Sequence, residues 1–149
     1  MIKRINNINE PIINLLLLAD PSIEMINQYV SKNLIYVLKI DNEIVGVIVL
    51  KRINETTIEV MNIAVSGEQQ GKGYGKQLLK FSEVTAKELG CNKILIATAN
   101  SSLNQLALYQ KCGFRMVDIE KDFFINEYKE VIMENGIRAM DKVILAKDI

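Results

Sequence analysis

The stretch Gln70-Gly71-Lys72-Gly73-Tyr74-Gly75-Lys76 has the plainest chemical capacity in this chain. Three glycines within five residues let the backbone approach a ligand closely and take φ values that side chains forbid, so several N–H groups can point one way. Next, the spacing of Leu78, Phe81, Ser82, Thr85, Ala86 and Leu89 predicts an amphipathic helix from about Gly73 to Leu89. Lys76, Lys80, Glu83 and Lys87 fall on its other face, Glu83 and Lys87 as an i,i+4 pair, and Gly90 is the stop. The unpaired N–H groups and positive dipole end of that helix lie at the glycines, which reads as a phosphate cradle. A glycine-rich turn that binds nothing would be spelled the same way. Two nucleotide motifs fail on residues. A Walker loop needs Ser or Thr after Gly-Lys, where Lys72 is followed by Gly73, and a dinucleotide fingerprint needs G-x-G-x-x-G, where the spacing is G-x-G-x-G.

Histidine is absent, so any general base is a carboxylate, tyrosine, lysine or water, and no metal site is expected. Cys91 and Cys112 are too few and too far apart for a disulfide framework or a metal site. Both read as buried thiols of a reducing cytosol, and Cys112, with no histidine to activate it, as a core residue and not a nucleophile.

The elements that must position the loop follow from the pattern around it. Ile2 to Ile5 reads as a short strand, Pro11 opens a helix carrying Ile12, Leu15, Leu16 and Leu18, Asp20-Pro21-Ser22 punctuates it, and a second helix covers Ile23 to Lys32. Leu34 to Ile40, Ile44 to Leu50 and Ile58 to Val65 then make a three-strand antiparallel meander, turning at Asp41-Asn42-Glu43 and Asn54-Glu55. The unbroken apolar run from Ile44 to Leu50 predicts a central strand buried on both faces. After the crossover helix, Lys93 to Thr98 is a strand expected to run parallel to Ile58–Val65. Ser102-Leu103-Asn104-Gln105 has capping-box spacing and opens a helix from Leu103 to Lys111, stopped by Gly113. Phe114 to Ile119 and Val143 to Ala146 read as closing strands, with a loop-rich stretch and a Glu134-Asn135-Gly136 turn between them.

At 149 residues and 49% hydrophobic, the chain suits one domain spanning 1–149 with a sizeable core. Lysine plus arginine equals aspartate plus glutamate, 18 each, with no block of like charge, so neither nucleic acid nor an anionic membrane is an expected partner. The apolar run from Ile12 to Ala19 is broken at Asn14 and falls short of the roughly 20 residues of a spanning helix, so the expectation is a soluble cytoplasmic protein.

These residues resemble the GCN5-related N-acetyltransferase (GNAT) superfamily, most firmly from about Ile58 to Phe114. Its coenzyme loop, Gln/Arg-x-x-Gly-x-Gly/Ala, is matched by Gln70, Gly73 and Gly75, and its tyrosine followed by Gly-Phe is matched by Tyr109, Gly113 and Phe114. The resemblance implies an α/β (α+β) fold with a mixed, mostly antiparallel central sheet of six to seven strands and helices on both faces. It implies acetyl-coenzyme A (acetyl-CoA) as co-substrate, its pyrophosphate held by Gln70, Gly71, Lys72, Gly73, Tyr74, Gly75 and Lys76. The strand before the loop is expected to bulge and part from the next, leaving a slot where Ile63, Ala64 and Val65 pair with pantetheine and the Ile63 N–H faces the thioester oxygen. Where many members place a coenzyme-binding asparagine this chain has Ser102, with Asn100 or Asn104 as substitutes.

In the same way, Tyr109 is expected to protonate the departing thiolate, the alternative being a ring packed beneath the coenzyme. Glu59, eleven residues before Gln70, stands at the spacing of a catalytic base, the alternative being a solvated strand carboxylate; strict alternation puts it on one face with Met61 and Ile63. Candidates for the acceptor side are Tyr29, Tyr36, Phe123, Phe124, Tyr128, Glu127, Glu130 and Glu134. The implied activity is direct acetyl transfer to a primary amine of a small molecule or peptide. A hydroxyl acceptor and a non-catalytic acyl-CoA sensor are the alternatives; family members often pair through strands near the C-terminus, so a homodimer is one expected assembly, with Val143-Ile144-Leu145 as an edge or a core strand.

Overall fold

The structure, a computed structural model, describes residues 1–149. Strand β1 (Ile2–Ile5) leads to α1 (Glu10–Ala19), where Asn9 Oδ1 accepts the Ile12 N–H at 3.2 Å and Pro11 occupies the first turn. Helix α2 (Ile23–Tyr29) is capped by Ser22, whose Oγ accepts the Met25 N–H at 3.2 Å. It stops three residues short of expectation: the Asn33 side-chain amide donates to the Tyr29 carbonyl at 2.7 Å and residues Val30–Lys32 tighten into a 3₁₀ turn.

The meander follows as β2 (Leu34–Ile40), β3 (Glu43–Arg52) and β4 (Thr57–Val65), with Asp41 and Asn42 in left-handed conformation at φ 51° and 66° between the first two. After α3 (Tyr74–Glu88) come β5 (Lys93–Ala99), α4 (Leu103–Lys111), β6 (Arg115–Glu120), α5 (Phe123–Glu127), a hairpin of β7 (Met133–Glu134) and β8 (Ile137–Arg138), and β9 (Lys142–Asp148). Seven strands form one sheet in the order β1-β2-β3-β4-β5-β9-β6, antiparallel throughout except for the β4–β5 pair. This is the expected mixed sheet. Strand β9 inserts between β5 and β6, so Val143-Ile144-Leu145 is interior and offers no edge for a partner; the sheet's edges are β1 and β6, and every residue of β6 is exposed.

One face of the sheet packs on α3 and α4 through Ile48, Leu50, Ile58, Val60, Leu78 and Ile96; the other packs on α1 and α2 through Leu16, Ile26, Val37, Val47 and Val49. Strand β3 serves both cores, so everything from Val45 to Leu50 is buried, as its unbroken hydrophobicity predicts. Helix α3 approaches so closely at Gly46 that a Cβ there would lie 3.1 Å from Leu78 Cδ1. Its inner face includes Leu79, which the stripe reading omitted, while Phe81 is half-buried, edge-on to Tyr36 at 4.7 Å. The Glu83–Lys87 pair is loose at 3.8 Å because Lys147 takes the same carboxylate at 3.0 Å. No helix is long and apolar enough to cross a membrane.

Candidate active site

The site begins where β4 leaves its neighbour. Val49 pairs with Asn62 but Leu50 pairs with Val60, so Met61 is an extra residue, a bulge in β4. Beyond it the strands part, since β4 pairs with β5 only from Thr57 to Val60, against Lys93 to Ile96, while β5 runs on to Ala99. The Ser66 N–H donates to the Val45 carbonyl at 2.8 Å, and alternation back from there turns Ala64 toward β3. The N–H and C=O of Ile63 and Val65 therefore face the gap.

The bulge also reverses the parity of the side chains. Ile63 packs in the α3-facing core with Ile58 and Val60, while Met61 and Ala64 pack toward α1. Glu59, between Ile58 and Val60, shares its face with Met61 but not with Ile63, which corrects the reading from strict alternation.

The glycine loop closes one end of the gap. Gln70 Nε2 donates to the Val65 carbonyl at 3.0 Å and ties the loop to the strand. Gly71 and Gly73 take φ of 81° and 85°, and a Cβ on either would meet nothing within 4 Å, so the space before them is open. Gly73 is the N-cap of α3 and offers no side chain; the first helical bond runs from the Gln77 N–H to the Gly73 carbonyl at 3.1 Å, leaving the N–H groups of Tyr74, Gly75 and Lys76 unpaired. Lys72 Nζ donates to Gln69 Oε1 at 3.0 Å. Gly73→Ala forces a side chain into left-handed backbone, a strain of about 1–2 kcal/mol, and aims a methyl into the open space. The expected result is a lower Tm and about tenfold weaker acetyl-CoA binding by calorimetry, the binding loss following from the same strain if the loop relaxes out of its cradle shape.

Two cavities of about 510 Å³ each adjoin this gap. The first is lined by the loop and the start of α3, with Ile63, Ala64, Val65, Asn104 and Tyr109. The second lies among the ends of α1 and α2, β4, β5 and α5, with Glu59, Asn62, Ser102, Tyr109 and Lys142 in its walls. Ile63 and Tyr109 line both. The Tyr109 ring is 4% exposed, and burial pushes its phenol well above the usual tyrosine range. Glu59 is half-buried; desolvation raises its carboxyl above the ordinary range, opposed by the charges of Lys142 and Lys51.

Two of the sequence expectations change. Ser102 makes no side-chain cap on α4; its Oγ donates to Glu134 Oε1 at 2.8 Å, across the second cavity, because the β7–β8 hairpin brings a stronger acceptor. Asn100 lines neither cavity. Its Nδ2 donates to the Arg138 carbonyl at 3.1 Å and its Oδ1 accepts from the N–H groups of Met140 and Asp141 at 2.8 and 3.0 Å, which fixes the chain entering β9. Asn100→Ala is therefore expected to cost about 1–3 kcal/mol of stability in denaturant titration, at roughly 1 kcal/mol per bond, with acetyl-CoA affinity retained. Asn104, the alternative at this position, does line the first cavity.

On the acceptor side, Tyr29, Phe123, Phe124, Tyr128 and Glu134 line the second cavity, whereas Tyr36, Glu127 and Glu130 do not. Sequence reasoning missed Asp20 and Asn62, which line it as well. Asp20 has the spelling of a turn residue before proline and Asn62 that of a polar interruption in a strand, and neither carries a signal of its partners.

The chain matches the family model of the acetyltransferase (GNAT) family over residues 9–114. YvbK of Bacillus subtilis strain 168, named an N-acetyltransferase, is 45% identical over 141 residues, 95% of this chain and 91% of its own. Among solved structures, an IAA acetyltransferase from Bacillus cereus ATCC 14579 is 48% identical with a TM-score of 0.94, covering 100% of this chain and 99% of its own. A GNAT family acetyltransferase from Elizabethkingia anophelis with acetyl-CoA bound is 44% identical with a TM-score of 0.95, covering 100% and 97%. A Bacillus subtilis acetyltransferase in complex with CoA is also 44% identical, with a TM-score of 0.94 over 99% and 97%.

Proposed function

The chain belongs to the GNAT acetyltransferase family, and from that premise we propose that it moves acetyl from acetyl-CoA to a primary amine of a small molecule or peptide, by direct transfer with both substrates bound. One observation carries this reading: the loop cavity and the carboxylate-lined cavity share Leu18, Ala19, Ile63, Gln105 and Tyr109 as walls, so a donor in one and an acceptor in the other share a junction. The first suits the coenzyme, with unpaired N–H groups at the helix start for its pyrophosphate and the unpaired edge of β4 for the amides of its arm. The charged side chains around the second are Asp20, Glu59, Glu134 and Lys142, a net negative wall that favours an amine over a neutral hydroxyl.

In this reading each group has one task. An alkylamine with a pKa near 10.4 must lose a proton before it attacks, and Glu59, with its raised pKa, takes that proton directly or through one water. The Ile63 N–H donates to the thioester oxygen as negative charge develops there. As the carbon–sulfur bond breaks, the Tyr109 hydroxyl delivers its proton to the departing thiolate; its raised pKa keeps that proton in place at neutral pH. The acetyl group leaves sulfur for nitrogen, and the ammonium gives up two protons, one to Glu59 before attack and one from the tetrahedral nitrogen after it; one of them restores the proton that Tyr109 gave to the thiol, and the other passes to solvent, leaving both residues as they began.

The test is a thiol-release assay across amines, hydroxyl compounds and peptide N-termini, with calorimetry for acetyl-CoA alone. Release with amines supports the proposal. Release with hydroxyl acceptors only would turn it into O-acetylation, and tight coenzyme binding without release on a broad panel would leave a sensor of acyl-CoA.

A further inference from the structure

Within the second cavity, four side chains far apart in sequence form one hydrogen-bonded cluster. The Tyr29 hydroxyl donates to Asp20 Oδ2 at 3.1 Å, and the Tyr128 hydroxyl donates to Asp20 Oδ1 at 2.8 Å. Asn62 Nδ2 donates to the Leu16 carbonyl and to the Tyr29 oxygen, both at 3.0 Å. Those bonds fix the amide's orientation, because a flip would set Oδ1 against the Leu16 carbonyl.

The inventory of this cluster is one-sided. Both phenolic protons go to Asp20 and both amide protons of Asn62 are used, so no donor is left over. What remains is acceptor: Asn62 Oδ1 is buried without a partner, in a residue only 5% exposed, and Asp20, a half-buried carboxylate that also accepts the Ser22 N–H at 3.2 Å, has no lysine or arginine within 4.0 Å. A buried amide oxygen without a donor is costly, and a half-buried carboxylate with no cation beside it has room for one. Beside them the rings of Phe124 and Tyr128 lie with centroids 5.3 Å apart, adding faces that attract positive charge. The missing complement is a cation rich in N–H donors.

We propose that Asp20, Asn62, Tyr29 and Tyr128 form a subsite for a second ammonium or guanidinium group on the acceptor, making the preferred acceptor a diamine. The inference rests on the amine-acetylating reading above. The cation held here is not the attacking group, since an ammonium gripped by an ionised carboxylate keeps its proton and has no lone pair to offer. The reacting amine meets Glu59 within the second cavity, and its other end reaches back toward α1 and α2.

The experiment measures thiol release with α,ω-diaminoalkanes, with n-alkylamines of the same chain length, and with lysine amide as the peptide-borne source of the same chemistry. The native protein is expected to favour the diamines in kcat/KM by about tenfold or more, through KM; whether free diamines or lysine amide fare better tells the source. Asp20→Asn should erase that preference, while Glu130→Gln, which removes an exposed carboxylate outside the cavity, should retain it. Equal kcat/KM for the two alkyl series, or a preference that survives Asp20→Asn, overturns the subsite. If Asp20→Asn does not fold, the native comparison alone decides. Turnover of alcohols and no amines would remove the amine reading itself, whereas equal turnover of both amine series removes only the subsite.

Discussion

Tyr109→Phe is expected to lower kcat by about 100-fold or more, in the range of a lost general acid, with the Kd for acetyl-CoA unchanged. The two results are separable because phenylalanine keeps the ring against Phe114, 6.2 Å between centroids, and removes only the hydroxyl. Without that proton the thiolate must leave unprotonated or wait for water. The raised phenol pKa also means that an alkaline limb below the usual tyrosine range does not come from Tyr109. A ring that served only as packing would turn over like the parent enzyme when changed to phenylalanine. Rapid mixing with a thiol reagent reads kcat, and calorimetry reads Kd.

Glu59→Gln should produce a loss of about 100-fold in kcat together with a change in the shape of the pH profile. The base works ionised, so the parent rate falls as pH drops through the Glu59 pKa. Burial raises that pKa, which puts the midpoint of the acid limb above the usual carboxylate value of about 4.3. Glutamine cannot titrate, so the acid limb disappears and the remaining rate follows only the acceptor's own deprotonation. Were Glu59 a solvated strand carboxylate, both the limb and kcat would survive the substitution.

The sequence spoke clearly wherever one residue type had one physical consequence. Gly73 and its neighbours could only mean left-handed backbone at a helix start, and the run from Val45 to Leu50 could only fit a strand covered on both sides. Where several partners compete, spelling was insufficient. Ser102 had the spacing of a cap and went to Glu134, thirty-two residues away, once the hairpin brought that carboxylate near. Asn100 could have faced a coenzyme, and its amide instead holds the backbone at residues 138–141. Glu59 and Ile63 looked like face-mates because strict alternation ignores the bulge that the resemblance implies for this strand, and nothing in Met61 marks where that bulge falls. The Asp20–Tyr128 bond spans 108 residues and joins the C-terminal caps of α1 and α5, a matter of tertiary packing that no local pattern records.

The parting of β4 from β5 has a further consequence for how the molecule coheres. Strands β1 to β4 are joined to β5, β9 and β6 by a ladder of only four residues on each side, Thr57–Val60 against Lys93–Ile96. The sheet is thus two panels with a short hinge and an open seam along which backbone groups lack strand partners. A co-substrate lying along it would act as a clasp, lending backbone pairing to both panels, so that cooperative unfolding of the whole depends on occupancy and rises with the concentration of the molecule that fills it.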